Sequence, residues 1–432
     1  MKPFITISCI AVFSLSYLTH GAPPEARFPE KHRTFFKTHC LACHDSETKE
    51  GKVDLEEALK TCSNEIRAQL GEKPVHLAFG FISSHFRDQY HRVPELIKEF
   101  LEPQTFIGCS AGGLIGGGRE IEQERSVTLT CAHLPDVEVE GFHLIDEKLP
   151  DLDAPQESWQ KLVGVNPDKK PAFVMIPDPF SFATDVLVQG LDFAFPGSAK
   201  IGGLASGAFS SGENGLFLND KVYNDGLVGL SLSGNVVVDT VVAQGCKPVG
   251  KTYTITKCKK NILFELDGQP AIMALKEVID SLSDKDKELI KDSVFMGIVM
   301  DEMKDEYSQV DFLVRNILGI EPSSGALVVG EILDNQKTIQ FHVRDAATSA
   351  DDLRFLLKKY TDKTREEERV FPSGALLFSC LGRGVHLYKQ ENHDSECFKS
   401  YLGPLPLGGF FCNGEIGPVG GSTFLHGYTS SF

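Results

Sequence analysis

Three times along the chain an apolar run gives way to a helical pattern and then to a second apolar run that breaks at glycines. Val75 to Ile82 with Val93 to Leu101 leads into Phe106-Ile107-Gly108-Cys109-Ser110-Ala111-Gly112-Gly113-Leu114-Ile115-Gly116. Ala172 to Ile176 with Thr184 to Phe195 leads into Ile201-Gly202-Gly203-Leu204-Ala205-Ser206-Gly207. Ala375 to Cys380 with Cys397 to Leu402 leads into Gly408-Gly409-Phe410-Phe411-Cys412-Asn413-Gly414-Glu415-Ile416-Gly417-Pro418. Beyond each glycine-rich turn lies a further strand pattern, in Ser126 to Cys131, Gly226 to Leu232 and Ser422 to Thr429. A strand, helix, strand, strand unit is therefore repeated, and its irregular spacing excludes a solenoid of short fixed period. The fold class this predicts is α/β: mixed, largely antiparallel sheets flanked by helices, in two interlocking halves related by the repeat.

Between the repeats the patterning is plainer. Asp54 to Lys60 and Asn64 to Leu70 form one amphipathic helix pattern that stops at Gly71. Pro150 to Pro171 reads as a polar link, Ala271 to Asp280 and Asp284 to Met303 as helices, and Ser349 to Tyr360 as a helix ended by the charged run Asp362 to Arg369.

Charge narrows the partners. With 43 basic against 60 acidic residues the net charge is −17, a field that repels phosphate backbones, and no basic cluster interleaved with aromatics offsets it. Nucleic acid is excluded as an expected partner. The N-terminus changes the picture further: Lys2, an uncharged apolar run from Phe4 to Leu18, and Thr19-His20-Gly21 before Ala22 read as a secretory signal peptide over residues 1–21. The run is short for an uncleaved membrane anchor. The expectation is a soluble mature chain in an exported compartment, periplasmic or extracellular, with no membrane span.

Cys40-Leu41-Ala42-Cys43-His44 follows. C-x-x-C-H places two thiols for thioether bonds to haem vinyls, with His44 as an axial ligand to iron. Residues 22–58 resemble the start of a c-type cytochrome domain, over about 30 residues only. Covalent haem c stands here beside a degenerate remnant, a Cys40 to Cys43 disulfide, or a metal site lacking its other ligands. The nearest methionine after the leader is Met175, and His32 and His39 are the local candidates for a distal ligand.

The first two glycine-rich turns, taken with Glu120-Ile121-Glu122, His133-Leu134-Pro135, Phe142-His143 and Asp178-Pro179-Phe180-Ser181, resemble the N-terminal half of the FIST (F-box and intracellular signal transduction) sensory module. Gln244 to Gly250, Glu265-Leu266-Asp267-Gly268, Val343-Arg344-Asp345, Cys380-Leu381-Gly382-Arg383-Gly384 and the tail are similar to its C-terminal half. The resemblance implies a FIST N-terminal domain over 59–225 and a FIST C-terminal domain over 226–432. It also implies a non-catalytic module recognising a small molecule such as an amino acid. Export departs from the intracellular signalling in the family's name, so the signalling or redox partner is left open.

The residues themselves favour a site in the second half. Arg344 and Arg383 can each fork two N–H donors toward a carboxylate, and Asp345 and Glu415 can accept from an ammonium or orient the arginines. Asn413 donates and accepts, and Gly414 lets backbone approach a ligand. His426 shares a strand face with Phe424 and Tyr428. The bland reading pairs Arg344 with Asp345 and Arg383 with Glu415 as structural salt bridges.

Eight of the 11 cysteines lie beyond the leader and the C-x-x-C-H motif, and Cys109 and Cys412 sit beside equivalent turns as small buried residues do. An exported FIST sensor is the leading expectation, and a haem redox or electron-transfer protein the alternative. A hydrolase using Cys380 with His426, or the pair Glu120 and Glu122, stands third.

Overall fold

The computed structural model describes residues 6–10, 54–284, 287, 294–304, 306–321 and 324–432. The repeat predicted from the apolar runs is present as three units. In each, two parallel strands are joined by a helix: Leu77–Ser83 with Thr105–Ala111 through Val93–Phe100, Ala172–Pro177 with Lys200–Gly203 through Thr184–Ala194, and Ala375–Cys380 with Leu407–Cys412 through His393–Leu402. A later strand returns antiparallel to the first of each pair: Val127–His133, Leu227–Gly234 and Ser430–Ser431 respectively. In the third unit this corrects the expected closing strand Ser422 to Thr429, whose residues Ser422–His426 are instead the outer strand of a hairpin. The remaining sheet pairings are likewise antiparallel, as the predicted fold class requires.

The interlocking runs three ways round. Between the second and last strands of its unit, the chain leaves as a hairpin and completes a neighbour's sheet. The first unit's hairpin, Gly113–Gly116 with Arg119–Glu122, pairs with Leu407–Cys412 of the third. The second unit's hairpin, Leu216–Leu218 with Lys221–Tyr223, pairs with Thr105–Ala111 of the first. The third unit's hairpin, Glu415–Val419 with Ser422–His426, pairs with Lys200–Gly203 of the second. Each glycine-rich turn is thus the point where the chain crosses from one sheet to the next. The central core takes side chains from all three units, among them Phe81, Cys109, Leu114, Ile176, Ile201, Ala205, Phe378, Phe410 and Cys412. Burying apolar area common to three sheets is what makes the exchange cooperative.

Helices cover the outer faces. Leu55–Leu70 and Val93–Phe100 pack on the first sheet, and Asp54 caps the former by accepting from the amides of Glu56 and Glu57. The backbone of Thr6–Ile10 pairs along Val127–His133 at the same sheet's edge. Between the second and third units a fourth sheet of seven strands is inserted, from Lys247–Lys259 to Thr338–Val343, with Ala271–Ser281 against it. The long helix Ala346–Glu366 then leads into the third unit.

Three predicted connections differ. The stretch 284–303 holds a strand, Val294–Val299, paired on both sides inside the fourth sheet. Its run Val-Phe-Met-Gly-Ile-Val is apolar on both faces, a pattern periodicity cannot separate from a buried helix. The link after Pro150 contains the helix Gln156–Val163, whose Trp159 is fully buried against Gly190. The charged run after Tyr360 continues the helix to Glu366. Cys40, Cys43 and His44 lie outside the described residues.

Candidate functional site

The residue that follows the strand Thr338–Val343, the loop after Ala375–Cys380 and the start of the strand Glu415–Val419 bring charge into the interior of the third unit. Arg383 follows directly from the chain's turn out of its strand, and it is wholly buried. Its Nε donates to Asp394 Oδ2 at 2.8 Å and its Nη2 to Asp394 Oδ1 at 3.2 Å, a two-pronged pair. Nη2 also donates to the Tyr388 hydroxyl at 2.5 Å and Nη1 to the Tyr428 carbonyl at 3.4 Å. Asp394 accepts as well from Ser430 Oγ at 2.5 Å, with His393 Nδ1 2.9 Å away. Burial acts to raise the Asp394 pKa, but Arg383, His393 and Ser430 outweigh it and hold the group well below the carboxylate range. Arg383 is correspondingly raised: burial disfavours its charge, and Asp394 more than offsets this.

Arg344 is the contrast. It is 8% exposed, and its guanidinium lies 4.9 Å from the centre of the Tyr428 ring. Its Nε and Nη2 meet no hydrogen-bond partner among the described residues. These atoms form the same edge that Arg383 uses to chelate Asp394. Burial lowers the Arg344 pKa and the neighbouring Arg383 charge lowers it further, yet a guanidinium remains a cation at any physiological pH.

Glu415 completes the cluster. It is fully buried; Oε2 accepts from the Thr429 amide at 3.0 Å and its hydroxyl at 2.7 Å, and Oε1 has no partner among the described residues. Burial raises its pKa to about 8, against the opposing pull of Thr429, Arg383 and Arg344. The Cys380 thiol lies within the fields of both Glu415 and Arg344, and burial first, then Glu415, pushes it up to about 12. It is a neutral thiol, without the activation a nucleophile needs.

The other residues singled out in the sequence have different surroundings. Asp345 is the N-cap of Ala346–Glu366, its Oδ1 accepting from the Thr348 amide at 2.6 Å and hydroxyl at 2.5 Å. Asn413 is exposed at the crossing point, donating from Nδ2 to the Ala205 carbonyl at 3.3 Å. The Gly414 carbonyl accepts from the Leu204 amide at 2.9 Å, tying the third unit's turn to the second's. His426 stands opposite Glu415 in the hairpin; it is buried, with Nε2 3.0 Å from the Gly417 carbonyl. Burial lowers its pKa to about 4, so it is neutral. Glu120 and Glu122 both face the third unit's helices, accepting from Ser395 and from the Val385 amide. Burial, then Asp394, raises Glu120 to about 7.

Sequence reasoning missed Asp394, Tyr388 and Tyr428. The expected Arg383–Glu415 pair is absent because Asp394, in the first turn of His393–Leu402, already fills that edge. An acid early in a helix is an ordinary feature, so nothing in the sequence marked it out. A groove of about 750 Å3 lies alongside, between Ala346–Glu366, the fourth sheet and the tip of the third unit's hairpin. None of Arg344, Arg383 and Glu415 lines it, but Cys246 and Asp352 do. Cys246 lies within the fields of Arg344 and Arg383, and a Cβ on neighbouring Gly245 would come 3.1 Å from Arg383 Nη1. Cys246 thus lines the groove while Gly245 beside it lies against Arg383.

Residues 76–269 match the FIST N domain and residues 271–418 the FIST C domain, so the seam falls within the fourth sheet. An uncharacterised protein of Mycobacterium tuberculosis is 34% identical over 380 residues, spanning 88% of this chain and 96% of its own length. An uncharacterised protein of Mycobacterium bovis is 32% identical over 380 residues, spanning 88% of this chain and 95% of its own.

Proposed function

The chain belongs to the FIST family of sensory, small-ligand-binding signal-transduction domains, and from that premise we propose that it senses a small carboxylate metabolite held on Arg344, with amino acids and the hydroxy and keto acids related to them as the classes to be told apart. One observation carries this reading: the Nε and Nη2 edge of Arg344 is buried and has no partner among the described residues, while Arg383 beside it engages a carboxylate with its own. A buried guanidinium edge without an acceptor leaves a desolvation cost unrecovered, and an anionic ligand recovers it.

The test is a titration of the purified protein with a panel of amino acids and the corresponding hydroxy and keto acids, followed by calorimetry and thermal shift. At least one acid is expected to bind and raise the melting temperature, and Arg344→Ala is expected to weaken it by about 100-fold, the scale of a lost buried charge-assisted pair. Equal binding by Arg344→Ala, or none by the protein itself, removes the site.

The apolar leader supports placing the chain outside the cytoplasm, and Cys40, Cys43 and His44 support a second reading as a covalent haem protein. Under that reading, export in a host competent for haem attachment gives a protein with a haem absorption spectrum, abolished by Cys40→Ser with Cys43→Ser. A colourless product would end it.

A further inference from the structure

We propose that Glu415 is the second recognition group of the Arg344 site and meets the ligand as a neutral carboxyl, so that the site selects carboxylates with no adjoining ammonium and binds them together with a proton. The inference rests on the carboxylate reading of Arg344.

The geometry begins with two orphaned groups in one interior. Among the described residues Arg344 offers two donors without an acceptor, and Glu415 offers Oε1 without a partner. Thr429 joins them structurally: it donates twice to Glu415 Oε2, and its chain neighbour Tyr428 carries the ring beneath Arg344. With both donors on Oε2, the proton of a neutral Glu415 belongs on Oε1, facing outward from the Thr429 contact. The groups that act on Glu415 are few. Arg344 enters from the end of Thr338–Val343, and Arg383, already chelated by Asp394, from the loop after Ala375–Cys380. The Cys380 and Cys412 thiols stand on the parallel strand pair, and neutral His426 on the opposite strand of the hairpin. None of them forms a salt bridge with Glu415 among the described residues.

A carboxylate seated on Arg344 would place a second negative charge near an ionised Glu415 in a poorly solvated interior, where the repulsion is severe. A neutral Glu415 instead donates from Oε1 to the incoming anion. Where Glu415 is ionised beforehand, it takes the proton from solvent as the anion binds. An ammonium would need an ionised acceptor, and the acids around the two arginines are committed: Asp394 to Arg383, Asp352 to the Gly245 amide at 2.8 Å, and Asp345 to the Thr348 amide and hydroxyl. The raised pKa of Glu415 agrees with the geometry.

The test titrates the whole chain with acetate, lactate and pyruvate, and with glycine and alanine, from about pH 6 to about pH 9.5. The acids are expected to bind and the amino acids not to. Affinity for the acids should stay level to about pH 7 and then fall, approaching tenfold per pH unit above about pH 8, and Glu415→Gln should abolish that fall.

A ligand-free measurement stands beside it. A carboxyl whose folded pKa lies above its unfolded value contributes stability that is complete below the unfolded value and lost as pH rises to the folded one. The melting temperature of Glu415→Gln relative to that of the parent should therefore climb from about pH 5 to about pH 8. Acid binding that depends on Arg344 but ignores pH and Glu415, preferential binding of glycine or alanine, or parallel melting profiles for the two proteins would each overturn the proposal while leaving an Arg344 site in place. Failure of all these compounds to bind, with Arg344→Ala indistinguishable from its parent, would remove that site and the proposal with it.

Discussion

Alanine in place of Gly202 is expected to destabilise the protein by roughly 3 kcal/mol or more, the upper range for overpacking, because the new atom meets backbone. A Cβ there would lie under 3.0 Å from the carbonyl group of Met175, on the strand paired parallel to it. A flexible side chain could move aside, but a carbonyl in a sheet ladder can do so only by parting the strands. Gly108 stands in the same relation to the Gly80 carbonyl, and Gly409 to that of Leu377. Each unit therefore has this close approach between the strands that flank its helix. Gly164→Ala is the control: its φ is +70° and among the described residues nothing lies within 4 Å of where its Cβ would stand, so only conformational strain of about 1 kcal/mol is expected. Urea unfolding of both variants decides the matter. A loss from Gly202→Ala no larger than that from Gly164→Ala would mean the strands yield at no cost, and the close approach would not define the unit.

Those glycines explain why so much of the fold could be read from the sequence. Gly108, Gly202 and Gly409 interrupt apolar runs that are otherwise strand-like, at the same place in each unit, so the repeat was visible as a pattern of breaks. The exchange of hairpins was not visible. Whether Gly113–Gly116 pairs with its own unit or with Leu407–Cys412 depends on contacts nearly 300 residues apart, on which local propensity is silent. The strand Val294–Val299 was hidden for a different reason: buried on both faces, it has no alternation to betray it. In the site, Arg344, Arg383 and Glu415 stood out as charges set in apolar, glycine-rich surroundings, and the fold does gather them. Which arginine would be satisfied was not legible, since Asp394 reaches Arg383 only once His393–Leu402 packs in the third unit.

That unequal satisfaction gives the two arginines opposite expected responses to the same substitution. Arg383→Met strands Asp394, a fully buried carboxylate left with His393, Ser430 and Ser379. Breaking a buried pair from one side costs about 3–5 kcal/mol, because the remaining charge has no compensation. Arg344→Met strands nothing, for no acid within the described residues pairs with it, and it removes a buried cation whose Nε and Nη2 are unmet. The loss to set against this is the stacking of its guanidinium on Tyr428, worth about 0.5–2 kcal/mol. The unmade hydrogen bonds it relieves are worth about 1–3 kcal/mol. The two nearly cancel, so Arg344→Met is expected to fall within about 1 kcal/mol of the parent or to exceed it, as replacements at binding sites often do. Denaturant unfolding at neutral pH, compared through midpoints at unchanged slope, reads both. If Arg344→Met loses as much as Arg383→Met, then Arg344 is a structural residue satisfied within the protein, and no anion is needed to complete it.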